Sequence, residues 1–355
     1  MAWFNFIRRL LHRSPSARGK SQSRFRPSLE PLEVRDVPAA LTIVGVDQGP
    51  PHVAVFSANG LAASFFAFDP AFRGGVRVGI ADVNGDGVQD YVCGAGTGAF
   101  AHVKVVDGTR ASQVLSNGQI ADSALLASFI AFDPSIRSGV FVAAADFDHD
   151  GKAEVAVSTG FGTAGHVRVF DIAGGQATRV SGPLGDFFPY GAGFAGGITL
   201  AAGDLNGDGF DELITGTFRG SSHLKAFDSA TGATVLSEFA YPGFTGGFSV
   251  STADLNGDGK AEIITGGAIG AGGHIKILDG VTGQETSSYF GMEPGFIGGT
   301  RVATVTFTDG NLCVIGAPSA NCPPAINLST PGGIILGRFQ PFGPRFHGGM
   351  FVASS

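Results

Sequence analysis

From about residue 39 the chain alternates short apolar runs with polar, glycine-rich breaks, and no segment keeps a helical period over a dozen residues. The runs recur in a fixed frame. An aromatic-x-Gly-Gly tag occurs at Phe72-Arg73-Gly74-Gly75, Phe194-Ala195-Gly196-Gly197, Phe244-Thr245-Gly246-Gly247, Phe296-Ile297-Gly298-Gly299 and Phe346-His347-Gly348-Gly349, with a degenerate copy at Ile136-Arg137-Ser138-Gly139. A histidine opening an alternating stretch marks the same frame a second time, at His52, His102, His166, His223 and His274; the equivalent in the unit that starts at Phe296 is Ala325. Each unit reads as four strands. Strand a follows the Gly-Gly, an acidic loop comes next, strand b is an apolar run ending in glycine, strand c opens at the histidine, and strand d runs into the next tag.

Four-stranded units of this length, repeated, are the sequence signature of β-propeller blades. The expected fold class is therefore all-β, a six-bladed propeller over residues 39–355. The sixth tag is followed by a single strand, and the body opens with runs resembling b, c and d, so the last blade is closed by one C-terminal and three N-terminal strands. Such closure removes the open sheet edge that an arc would expose. Tag-to-histidine distances are 30, 30, 29 and 30 residues, whereas histidine-to-tag distances vary from 20 to 34. Insertions thus fall between strands c and d. The longest, roughly 107–123, is expected on the face that carries the acidic loops.

The acidic loops carry the candidate chemistry. Asp82, Asn84, Asp86 and Asp90 stand at positions 1, 3, 5 and 9 of a nine-residue stretch, with glycines at 4 and 6. The spacing returns as Asp146, Asp148, Asp150, Glu154; as Asp204, Asn206, Asp208, Glu212; and as Asp254, Asn256, Asp258, Glu262. A tight turn accounts for Asn-Gly-Asp-Gly, but not for oxygen ligands at 1, 3, 5 and 9 four times over. Hard cations take six to eight such oxygens. An EF-hand needs an acid at position 12 and a helix after it; position 12 here is Cys93, Val157, Thr215 and Thr265, all in strand-like runs.

On these residues the chain resembles the FG-GAP/VCBS repeats, propeller repeats with a D-x-[DN]-x-D-G-x-x-[DE] loop that are also seen in integrin α-chain propellers. The resemblance covers nearly all of 39–355 and implies Ca²⁺ as the bound ion, with the carbonyls of Val88, Lys152, Phe210 and Lys260 as the position-7 ligands. It also implies an extracellular role in interaction. The fifth unit reads Thr306-Phe307-Thr308-Asp309-Gly310, two residues short, and the sixth loop coincides with the chain ends. About four ions are expected, not six.

Charge changes the picture in one respect. The formal net charge is −7, yet residues 1–36 hold eight Lys/Arg against three acids, so the remainder carries −12. An acidic body argues against nucleic acid as the main partner, because phosphate contacts need clustered cations. Residues 1–38, basic and rich in Ser, Arg and Pro, read as a targeting or disordered segment outside the fold. Within it, Leu29-Glu30-Pro31-Leu32-Glu33-Val34-Arg35 through Pro38-Ala39 resembles the N-terminal segment of many large exported proteins of planctomycete bacteria, which implies an extracytoplasmic destination. No run reaches the 18 apolar residues of a membrane span. Cys313 and Cys322 flank a turn and read either as a disulfide of an exported protein or as two buried thiols; Cys93 reads as core.

The five histidines stand one per blade, which spreads them around the ring and makes a repeated structural hydrogen bond the better reading than a catalytic or metal cluster. The 31 phenylalanines read mainly as packing between blades. No GxSxG, HExxH, P-loop or paired CxxC is present. The expectation is a non-enzymatic, monomeric, calcium-stabilised propeller at the cell surface or outside the cell, with a protein or glycan partner. The alternatives are a secreted carbohydrate-active enzyme with a channel site, or a structural subunit of a surface assembly.

Overall fold

The computed structural model describes residues 40–307, 310–322 and 324–355. The basic N-terminal segment, and Thr308 and Asp309 of the short fifth loop, lie outside the described residues.

Six antiparallel sheets form the six blades. Blade 1 is Val76–Ala81, Asp90–Ala95, His102–Val106 and Leu125–Ile130 (strands a to d). Blade 3 is Ile198–Gly203, Glu212–Thr217, His223–Phe227 and Thr234–Phe239, and blade 4 is Phe248–Ala253, Glu262–Gly267, His274–Leu278 and Glu285–Phe290. Blade 5 is Thr300–Thr306, Leu312–Pro318, Ile326–Ser329 and Ile335–Phe339. Blade 6 is assembled from both ends, as expected: Met350–Ser354 pairs with Thr42–Val46, followed by His52–Ser57 and Gly60–Phe66. Blade 2 departs from four strands. After Val140–Ala145, Glu154–Thr159 and Val167–Ala173, its outer edge is shared by Gln176–Arg179 and Asp186–Phe187. The long Val167–Ala173 strand outruns one partner, so two short segments cover it in turn.

Burial explains the run lengths in the sequence. Strand b of blades 1 to 4 is buried at every residue, because a and c flank it within the sheet and adjacent blades cover both faces. Strand d lies at the rim and is mostly exposed, as in Thr234–Phe239 and Glu285–Phe290. Continuous apolar runs therefore mark the inner strands and alternating ones the rim.

The tag has a steric basis. A Cβ on Gly74, Gly196, Gly246, Gly298 or Gly348 would lie 2.2–2.7 Å from the ring of the tag phenylalanine two residues earlier. The second glycine takes a left-handed backbone, at φ 74° in Gly75 and 74° in Gly197, the conformation glycine adopts at no steric cost.

The long insertion of blade 1 begins on the acidic-loop face, where Gly108 N–H donates to Asp90. It does not stay there. It crosses the rim, and Gly118 and Ile120 bracket Phe66 of blade 6 in two backbone hydrogen bonds of 2.9 Å. The outer strand of blade 6 otherwise presents an unpaired edge, and the insertion straps across its end.

Candidate metal centres

Strands a and b converge at the end of each blade, and the loop between them curls around its own first residue. In blade 1 the Asp82 carboxylate accepts N–H groups from Gly85 (2.8 Å), Asp86 (3.1 Å) and Gly87 (2.7 Å). Asp204 and Asp254 accept the equivalent three. Position 5 turns back in the same way, Asp86, Asp150, Asp208 and Asp258 each accepting the N–H of residue 7, namely Val88, Lys152, Phe210 and Lys260. Position 9 is buried and anchored, since Glu154, Glu212 and Glu262 each accept the N–H of the loop's second residue at 2.8–2.9 Å.

The four loops differ in what the remaining oxygens do. In blade 2, oxygens of Asp146, Asp148, Asp150 and Glu154 all lie within 4.8 Å of one another. In blades 3 and 4 the second Glu oxygen is taken by the side-chain amide of Asn206 (3.0 Å) or Asn256 (2.7 Å). In blade 1 both Asp90 oxygens are engaged, by Val83 and Gly108 N–H. The complete carboxylate set thus converges in blade 2, whereas Asp82, Asn84, Asp86 and Asp90, and the sets of blades 3 and 4, are organised by hydrogen bonds within the loop.

Electrostatics fits a hard dication. Among the described residues no Lys or Arg is ion-paired with a loop carboxylate. Burial, and then the charges of Asp148, Asp146 and Asp150, push Glu154 up to about 7 against the N–H of Phe147. Glu212 is pushed to about 7 by burial and its acidic neighbours, and Asp90 to about 6. Four oxygens crowded without a cation is an arrangement that an ion relieves.

One acid escaped the sequence reading. Oxygens of Asp208, Glu212 and Asp228 form a second cluster within 4.8 Å. Asp228 follows strand c, five residues after His223. The same spacing gives Asp107, Asp171 and Asp279, in the four blades that carry an acidic loop, while Ser57 and Thr330 stand there in the other two. Three of them cap their own turn, with Asp107, Asp228 and Asp279 accepting from Thr109, Thr231 and Thr282.

The histidines make the repeated hydrogen bond. His52, His102, His223 and His274 each reach a serine on strand d (Ser64, Ser128, Ser237, Ser288) at 2.7–2.9 Å, and His166 meets Asp186. His149, at position 4 of the second loop, is exposed. Cys93, Cys313 and Cys322 are all buried and no disulfide joins them; burial pushes the Cys93 thiol up to about 12.

Residues 204–265 match the FG-GAP-like repeat and residues 138–176 the FG-GAP repeat. The matched segments contain the second, third and fourth acidic loops. The chain is thus a six-bladed β-propeller that carries FG-GAP repeats. No curated protein matches it. Among solved structures it is similar to the exotype rhamnogalacturonan lyase YesX (14% identity, 81% of this chain and 50% of that chain, TM-score 0.40). It is also similar to the rhamnogalacturonan lyase YesW (16%, 84% and 64%, TM-score 0.45) and to Saccharomyces cerevisiae Sqt1 (12%, 87% and 74%, TM-score 0.46). The chain spans half the length of the first and 64% of the second. FG-GAP repeats are typical of extracellular or surface proteins. Among the described residues no helix is long and apolar enough to cross a membrane.

Proposed function

We propose that the protein is a calcium-stabilised interaction propeller that works outside the cell or at its surface, binding a protein or glycan without turning it over. The observation that carries the calcium reading is the convergence of Asp146, Asp148, Asp150 and Glu154 within 4.8 Å. The other three loops share its spacing and its turn, and about four ions follow from the count. Binding Ca²⁺ to the folded state alone adds about 1.4 kcal/mol per ion at tenfold excess over Kd. Four ions then contribute on the scale of a domain's whole net stability.

What supports binding over turnover is the axial cavity, where Asp47 is the one acid among the described lining residues and is ion-paired with Arg301. Arginine keeps its proton at any ordinary pH and offers no general base. A glycan and protein array probed with and without calcium tests partner class and ion dependence together. Calorimetry that finds no Ca²⁺ uptake, or chelation that leaves Tm unchanged, refutes the calcium half.

A further inference from the structure

The cavity lies on the face opposite the acidic loops, at the mouth formed by the tag and b–c loops, and has a volume of about 770 Å³. That is within the range of small-ligand sites. Its lining holds four arginines, Arg73, Arg77, Arg219 and Arg301, against the single Asp47. This concentration of cations stands in a body of opposite net sign.

Two of these arginines break the repeat. The residue two after the tag's last glycine is Arg77, Phe141, Thr199, Ser249, Arg301 and Phe351 in blades 1 to 6. Thr199 and Ser249 use their hydroxyls to tie strand a to the next blade, at Phe248 O (3.2 Å) and Thr300 O (2.9 Å). The scaffold's need at this position is therefore met by a small hydroxyl or a phenylalanine. Arg77 and Arg301 are only 7% and 6% exposed, and the Nε of each has no hydrogen-bond partner. Asp47 reaches Arg301 at 3.6 Å, and the only hydrogen bond described for Arg77 is to Gly74 O at 3.2 Å. Burying unsatisfied cations side by side is costly unless something completes them.

The rings around them fix how they present. The Arg77 guanidinium lies over Phe141 and Phe351 at 5.5 and 5.1 Å, and Arg301 over Phe351 and Phe218 at 4.8 and 5.3 Å. Aromatic faces take the flat sides of the guanidinium and leave its N–H edge for an oxyanion, whose two oxygens match the fork. Gln48, Thr97, Thr245 and Asn321 supply neutral hydrogen-bonding groups around the same mouth, and Phe161 stands at its rim 54% exposed.

We infer that this mouth is a binding site for an acidic sugar, its carboxylate held by Arg77 and Arg301 and its hydroxyls by the neutral polar lining. The inference deepens the binding reading above by naming a ligand class, and rests on it. The test is calorimetric titration of the full chain in calcium with sodium glucuronate, glucose and inorganic phosphate as separate probes at constant ionic strength. Glucuronate is expected to saturate one site, glucose to give no saturable heat and phosphate to bind more weakly. Arg77→Met and Arg301→Met keep the packing on the rings and are each expected to weaken glucuronate about tenfold or more. Asp47→Asn removes the competing carboxylate and is expected to tighten it, which keeps the test decisive if an arginine variant fails to fold. No saturable glucuronate binding, phosphate binding the more tightly, or affinity unaltered in the Met variants overturns the inference. A null array with glucuronate binding intact instead fails the surface-partner reading alone.

Discussion

The two glycines of each tag do different work, and the degenerate copy shows it. The first must be bare because the phenylalanine ring folds over it and, at Gly74, Gly196 and Gly348, a b–c loop carbonyl closes on it; where Ile136 replaces that ring, Ser138 stands in its place. Gly196→Ala places a methyl 2.1 Å from the Arg219 carbonyl oxygen and 2.3 Å from the Phe194 ring and should cost about 1–3 kcal/mol as overpacking. The double variant Phe194→Ile with Gly196→Ser relieves the ring contact but not the carbonyl one, and should regain only part of that loss in a denaturant midpoint. His149 offers the opposite case. It occupies the fourth loop position with φ 61°, where the other loops have Gly85, Gly207 and Gly257 at 75°, 81° and 79°. A left-handed side-chain residue costs about 1–2 kcal/mol, so His149→Gly should stabilise the calcium-free protein by about 1 kcal/mol, read as a rise in Tm. Both sites were visible in the sequence as positions. Which glycine needs space and which needs a backbone angle was not, because both are written with the same letter.

Strands and loops pass these constraints around the ring. Each strand c of blades 1 to 4 carries a cation two residues past its histidine, and Lys104, Arg168, Lys225 and Lys276 sit over Phe68, Phe132, Tyr190 and Tyr241 of the preceding blade at 5.1–5.8 Å. Tyr241 also donates its hydroxyl to Thr265 O (3.1 Å) and His274 O (3.0 Å) from a buried position. Tyr241→Phe should cost about 1–2 kcal/mol, measurable by chemical denaturation.

The acidic loops add a pH signature. Glu154 and Glu212 titrate near 7 and Asp90 near 6 in the ion-free fold. The folded state then holds protons that the unfolded chain has released by about pH 4–4.5. Metal-free stability should therefore fall as pH rises from about 4.5 to 7 and level off above. With saturating Ca²⁺ the trend should reverse, since the ion takes only the deprotonated acids; thermal melts across pH with chelator and with calcium read both. The loop acids were legible because four copies share one spacing. Asp228 was not, because it is 16 residues from Glu212 in sequence and meets it only when strand c returns beside strand b.

At the scale of the molecule, six blades, their four-strand order and the closure by both ends were legible, since a repeat states its own count. The added strand of blade 2 and the strap from blade 1 were not, since insertions obey no repeat. The arginine mouth was hidden for a related reason: searching for what recurs averages away the two positions that do not. Closure itself is testable. Met350–Ser354 supplies the innermost strand of blade 6, in register from Thr42↔Ser354 to Val46↔Met350. A chain ending at residue 349 should lose that strand, expose Thr42–Val46 as an open edge and partition into aggregates by size-exclusion chromatography.

That closure has a consequence for orientation. Leu41 and Ser355 are joined by two hydrogen bonds, at 3.0 and 3.1 Å, at the point where a sixth acidic loop would stand. Chain enters and leaves the ring at one spot on one face. The junction of the ring's two ends therefore lies on the acidic-loop face, and the arginine-lined mouth opens on the face opposite it.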